Sequence, residues 1–186
     1  LRLNEVTQRR RDGADAYALL GDVDQLENKL DSAISNFQQS VQAGNRNLQV
    51  ITRLVQLQSE RGRYADAART LQGVLDRGEP SAVLQKLAAE IALRTNDSAK
   101  ALRIAMEVVP PNSKQVEDHL WQARILLALK QNDAAETALR RVIALAPTGG
   151  QAWYTLVQLL MQRGEKPKAE AAGGEAIKAL PADAYL

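Results

Sequence analysis

The sequence predicts an all-α fold, a solenoid of about five helix–turn–helix repeats with partial repeats at both ends. Three observations predict it: composition, a 34-residue period, and a polar break inside each period. Of the 186 residues, 45% are apolar but only 4% aromatic, so a core must be built from Ala, Leu, Val and Ile, which suits closely packed helices. Stepping by 34 from Ala67 reaches Ala33, Ala101, Ala135 and Ala169, alanine every time. The same step from Val74 gives Ser40, Val108, Val142 and Ala176, all small or β-branched. From Leu71 it gives Phe37, Ala105, Leu139 and Gly173, mostly bulky.

The period divides the chain into repeats at 14–47, 48–81, 82–115, 116–149 and 150–183. Residues 1–13 read as the second helix of a preceding repeat, because Leu3 and Val6 fall 34 before Phe37 and Ser40. The run RRR at 9–11 would close that helix, since positive charge is favoured at a helix C-terminus. Residues 184–186 begin a following repeat, ADAYL echoing ADAYALL at 14–20. With Leu1 at its start, the chain reads as a fragment of a longer protein.

Each repeat opens with a helix whose apolar residues recur at three and four: Tyr17, Leu20 and Gly21; Ile51, Leu54 and Val55; Trp153, Leu156, Val157 and Leu160. Polar breaks follow at LENKLD, ERGRYAD, RTNDSA, LKQNDAA and QRGEKPK. Asp31, Asp97 and Asp133 stand where an N-cap is wanted, and Pro167 suits a first helical turn. The second helix then carries the alanine, bulky and small columns at i, i+4 and i+7, one face that needs a neighbour. Between repeats, Pro147 and Pro181 follow helix ends, and Thr148 with Gln151 and Asn112 with Gln115 have capping-box spacing. Gly173–Gly174, inside a predicted helix, costs about 1 kcal/mol per glycine relative to alanine and implies close packing or a kink.

This pattern resembles the tetratricopeptide repeat: a large residue, Leu and a small residue, then Gly-x-Tyr-x-x-Ala, a bulky residue, a small one and Pro. The fifth repeat carries it through Trp153, Leu156, Gly164, Ala169, Ala176 and Pro181, and the second through Ile51, Leu54, Gly62, Tyr64, Ala67 and Leu71. The third and fourth depart from it, with Gln85 and His119 where a large apolar residue is expected, and their register there is open by one residue. The resemblance implies a right-handed superhelix whose first helices line a concave groove, where partners dock as extended peptides or helices.

The groove lining that the resemblance implies is Asp15, Ala18, Asp22 and Gln25; Gln49, Thr52, Gln56 and Ser59; and Val83, Lys86, Glu90 and Leu93. It continues through Glu117, Leu120, Arg124 and Leu127 to Gln151, Tyr154, Gln158 and Met161. The candidate partner-binding residues are therefore Asp15, Asp22, Gln49, Gln56, Lys86, Glu90, Leu120, Arg124, Tyr154, Gln158 and Met161. Leu93, Leu120 and Leu127 are expected to pack between helices, and Tyr154 and Met161 to reach solvent. Family members that bind chaperone C-termini hold the carboxylate with a Lys, Asn and Arg clamp. The matching positions here carry Ala18, Asp22 and Val83, which would not grip an anion.

Other functions find little support. No cysteine is present, which excludes disulfides and thiolate metal sites, and the single histidine, His119, offers neither a metal pair nor a relay. Asp22 and Asp24 read as solvated surface rather than as acid–base machinery, and no phosphate-binding glycine loop occurs. No catalytic residue and no cofactor is therefore assigned. Asn96-Asp97-Ser98 matches a glycosylation sequon but is expected in a tight turn. A net charge of +2 is too balanced to argue for nucleic acid, and the column Asp15, Gln49, Val83, Glu117, Gln151 shows no base-reading code. No apolar run approaches the roughly 18 residues of a membrane span. Charge shifts mildly along the chain: 14–47 hold two basic and five acidic residues, net −3, and 82–115 five basic and three acidic, net +2.

The sequence thus points to a protein–protein interaction scaffold that takes a protein or peptide segment in its groove. The alternative is a structural spacer or self-associating array within a larger protein, with Leu3, Val6, Ile177 and Leu180 as apolar surface at the ends. The Ala- and Arg-rich style resembles bacterial repeat proteins, some of which serve envelope or polysaccharide-export assemblies. The compartment is left open.

Overall fold

The computed structural model describes residues 2–78 and 81–180, and for 2–11 the backbone course alone. Its described residues form ten α-helices and no strand. They fall into two compact units, Leu1–Asn96 and Asp97–Leu186. The N-terminal unit holds α1 (Arg2–Leu26), α2 (Leu30–Gln42), α3 (Leu48–Glu60), α4 (Tyr64–Leu75) and α5 (Ala82–Arg94). The C-terminal unit holds α6 (Ser98–Glu107), α7 (Val116–Ala128), α8 (Asn132–Leu145), α9 (Gly150–Gln162) and α10 (Lys166–Ala179). Within each unit every helix packs on its neighbours in sequence. The boundary between the units falls inside the repeat expected at 82–115.

The alanine column is the innermost feature. Ala33, Ala67, Ala101, Ala135 and Ala169 are all buried, because only a methyl group lets the second helix of each repeat approach so closely. The bulky column is buried with it at Phe37, Leu71, Ala105 and Leu139. Gly21 supplies the matching hollow on α1. A Cβ there would lie 2.7 Å from the Phe37 ring, closer than any side chain tolerates.

Hairpin turns repeat at the same period. Asn28, Gly62, Asn96, Lys130 and Gly164, spaced by 34, all have positive φ between 56° and 75°. The residue after four of them donates its amide five residues back along the chain: Lys29 to Asp24, Arg63 to Gln58, Gln131 to Leu126, and Glu165 to Leu160, at 2.7–2.9 Å. This is the Schellman closure, which ties up orphan carbonyls at the helix end. Glycine makes it easily; Lys130 adopts a conformation unusual for a residue with a Cβ.

Several local expectations are revised. Helix α1 runs unbroken across the boundary expected between 13 and 14, so Arg9–Arg10–Arg11 lie within a helix and do not close one. The single Gly13 costs too little to interrupt a helix flanked by good helix formers. Asp97 does cap α6, accepting the Lys100 amide at 3.0 Å. Asp31 and Asp133 instead lie in the first turns of α2 and α8, behind Lys29 and Gln131. There they take arginines from the following hairpin: Asp31 meets Arg61 at 2.6 Å and Arg63 at 2.7 Å, and Asp133 meets Arg163 at 2.8 Å.

Neither capping box forms. Helix α9 starts behind Gly149 and α7 behind Gln115, with no side-chain cap on either. Before α7 the Ser113 hydroxyl, not Asn112, accepts the Gln115 amide at 3.2 Å and donates to Asp118 at 2.6 Å. Asn47, which carried no expectation, caps α3 through the Gln49 amide at 2.9 Å. Pro167 takes its place in the first turn of α10. Gly173 and Gly174 are not in tight packing, since nothing lies within 4 Å of a Cβ built at either. Pro181, the echo at 182–186 and the side chains of Leu3 and Val6 lie outside the described residues.

Candidate partner-binding faces

First helices position the candidate side chains, and the two units differ in what they present. In the N-terminal unit, α1 carries Asp15 and Asp22, α3 carries Gln49 and Gln56, and α5 carries Lys86 and Glu90. Asp15, Gln49 and Gln56 are exposed; Asp22, Lys86 and Glu90 are half-buried. Two of the acids are engaged within the fold. Asp22 pairs with Arg53 of α3, whose guanidinium also stands 5.9 Å from the Phe37 ring centre, and Asp24 accepts from Asn36 at 2.7 Å. The expectation of merely solvated carboxylates is therefore corrected: both tie α1 to its neighbours. Asp15 accepts from Asn45 at 3.3 Å. Ala18, expected on the lining, is buried.

Another face of α1 is apolar and open. Tyr17, Leu19, Leu20, Val23 and Leu26 are all exposed. Tyr17, Leu20 and Val23 belong to columns that are dry elsewhere: Ile51, Leu54 and Leu57 on α3, and Trp153, Leu156 and Leu159 on α9, are buried. The reason is that α3 lies against both α2 and α4, whereas among the described helices α1 packs chiefly on α2.

In the C-terminal unit the first helices are α7 and α9, and they align by the 34-residue step. Leu120, Arg124 and Leu127 on α7 stand where Tyr154, Gln158 and Met161 stand on α9. Each set is spaced i, i+4, i+7 and lies on one helix face. Tyr154 is 60% exposed, Met161 50% and Leu120 39%, while Leu127 is half-buried, as is Leu93 on α5. Leu120 is therefore more open than its expected place between helices. Gln158 donates its amide to the Tyr154 hydroxyl at 2.6 Å, which holds the phenol along the helix. The adjacent His119 is buried and not part of this face. Its Nε2 meets the Ser113 carbonyl at 3.0 Å, as Trp153 Nε1 donates to the Pro147 carbonyl at 2.8 Å, so histidine fills the tryptophan position of its repeat. On α5 Leu84 is buried beside a half-buried Gln85, while Ala88, Ala89, Ile91 and Ala92 stay buried in register with Leu54, Val55, Leu57 and Gln58 of α3.

No cluster of three or more metal-binding side chains occurs among the described residues, and no described helix is long and apolar enough to cross a membrane. Models described as tetratricopeptide repeat match residues 25–91 and 121–184. The chain is a tetratricopeptide-repeat protein.

Solved structures agree on the fold. A MamA protein is similar over 90% of this chain and 92% of its own, with TM-score 0.74 and 15% identity. A MamA from Desulfovibrio magneticus RS-1 is similar over 90% and 95%, with TM-score 0.72 and 12% identity. YrrB, described as a tetratricopeptide-repeat protein with an unusual peptide-binding site, is similar over 96% and 92%, with TM-score 0.70 and 15% identity. No curated protein matches significantly. Tetratricopeptide-repeat proteins are generally non-enzymatic, and the repeats of this chain are those of a protein–protein interaction scaffold.

Proposed function

We propose that this protein binds a segment of a partner protein on the first-helix face of its repeats, with the α7 and α9 stripes as the anchoring part. The observation that carries this reading is the exposure of Tyr154 and Met161 on one face of α9, with Leu120 at the equivalent place on α7. Large apolar side chains presented by a rigid helix need no further backbone ordering when a partner covers them, which favours such residues as anchors. The peptide-binding site of YrrB supports the same class of ligand. No catalytic role, cofactor, nucleic acid or membrane insertion enters this reading.

The test is affinity capture from lysate with the original protein and with Tyr154→Ala plus Met161→Ala, both checked for helicity by circular dichroism. A protein held by the first and lost by the second supports the reading. Equal retention by both removes the α9 face from the interface.

A second reading has its own observation. Tyr17, Leu20 and Val23 occupy columns that a packed helix covers elsewhere, so α1 offers a seat for a helix from a second copy of the chain. The protein would then act as a self-associating array. Sedimentation at rising concentration should show a mass increase that Leu20→Glu with Val23→Glu abolishes; a constant monomer mass removes this reading.

A further inference from the structure

The open stripe of α1 has a counterpart on α10. Stepping by 34 from Ile177 reaches Ile143, Val109, Leu75 and Val41, aliphatic every time. Val41 and Val109 are buried, whereas Ile177 is 66% exposed. On α2 the covering elements are visible: Val41 lines one cavity with Ile51 and another with Leu54, both on α3. Ile51 and Leu54 are the equivalents of Tyr17 and Leu20, one step earlier on α1. Helix α10 thus exposes the residue that covers, and α1 exposes the residues that are covered. Residues 2–13, which the period assigns to a preceding helix, run on into α1 as one helix and do not lie across its stripe.

Shape and charge point the same way. Gly173 and Gly174 stand one turn before Ile177 on the same face of α10, and a Cβ at either meets nothing within 4 Å. Phe37, Leu71 and Leu139 fill the place that Gly173 leaves open, so α10 has a hollow beside an exposed isoleucine, room for a ring such as that of Tyr17. Residues 12–27 carry five acids and no base, while 166–180 carry three lysines and two glutamates. Two such α1 stretches laid together would repel, whereas α10 brings the opposite net charge. We infer that the occupant of the α1 stripe is α10 of a second copy, seated as α2 is seated on α3, with Ile177 against Tyr17 and Leu20. The inference rests on the self-associating reading above and names the surface that completes it. The contact joins two different surfaces, so association continues past a dimer unless a ring closes.

Sedimentation velocity over a concentration series tests it with three chains: the original, Leu20→Glu with Val23→Glu, and Ile177→Glu, each checked for helicity by circular dichroism. All three side chains are exposed, so the substitutions should spare the fold. The original should gain mass with concentration, and each variant alone should need about tenfold more protein, or still more, to do so. Mixed in equal amounts, the two variants should form a one-to-one dimer and nothing larger, since one keeps its α10 face and the other its α1 stripe. Association of Ile177→Glu at the concentrations that suffice for the original would overturn the inference while leaving the self-associating reading intact. A mixture that stays monomeric would do the same, being the mark of a symmetric contact between two α1 stripes. A constant monomer mass for the original would overturn both.

Discussion

Leu20 on α1 and Leu54 on α3 occupy the same place in successive repeats, yet Leu20 is 52% exposed and Leu54 is sealed at 0%. Sequence does not distinguish them, since both are leucines at the start of the same apolar stripe. Their surroundings do: α3 is packed between α2 and α4, and among the described helices α1 packs chiefly on α2. An apolar column in a repeat is thus only half of a core, and the helix before it supplies the other half.

Truncation measures this difference directly and should give the largest effect. Leu54→Ala leaves a cavity in a packed core and is expected to cost about 3 kcal/mol in denaturant unfolding. Leu20→Ala should cost less than about 1 kcal/mol, because half its surface is already wet. Equal losses would break the comparison and mean that α1 is covered in solution, the result the self-associating reading requires.

Glycines provide the second contrast. Gly21→Ala pushes a methyl into the Phe37 ring at 2.7 Å and should destabilise by about 1–3 kcal/mol. Gly173→Ala, inside α10 with nothing within 4 Å, should stabilise by about 0.5–1 kcal/mol by removing backbone freedom from the unfolded chain. Thermal melts of the two variants, moving in opposite directions, would show that one glycine is a packing device and the other is not. A loss on Gly173→Ala would restore the close packing that the sequence suggested.

Much of the fold was legible because its period is written in residues with one physical use. Five alanines spaced by 34 can only mark a repeated close approach, and the structure buries all five. The turn column was half legible: Gly62 and Gly164 announce a left-handed residue, but Asn28, Asn96 and Lys130 do so weakly or not at all. Caps were read less well, because Asp31 and Asp133 look like N-caps until the arginines of the next hairpin are placed beside them. For the candidate faces, the resemblance put Tyr154, Gln158 and Met161 on the groove lining, but exposure depends on neighbours that a sequence pattern does not contain.

The turn column also separates repeats by the residue each spends on the same left-handed conformation. Lys130→Gly should stabilise the C-terminal unit by about 1 kcal/mol, because the side chain disfavours φ of 56° and glycine does not. Elsewhere in the exposed part of a helix the same change would destabilise by a similar amount. A loss of stability at 130 would show that the lysine has a role in the turn beyond its backbone.

The smallest effect concerns charge at the start of the last hairpin helix. Glu165 and Lys168 stand where the second repeat has Arg63 and Asp66, the opposite charges at the same spacing. The Lys168 ammonium, 2.5 Å from the Glu165 carboxylate, is the main reason that Glu165 titrates below its ordinary 4.5, and Arg163 lowers it further. A carboxyl depressed in the folded state binds fewer protons there than in the unfolded chain. Its contribution is therefore present above pH 4.5 and is lost as pH falls through the lower folded value. Lys168→Met removes the larger cause, so the stability difference between original and variant should shrink as the pH is lowered from about 7 to about 3. The difference should also narrow in high salt, because the ammonium is well exposed. Denaturation midpoints at those pH values, with and without salt, measure it; a difference that stays constant with pH would mean that Lys168 acts through its aliphatic stem and not through its charge.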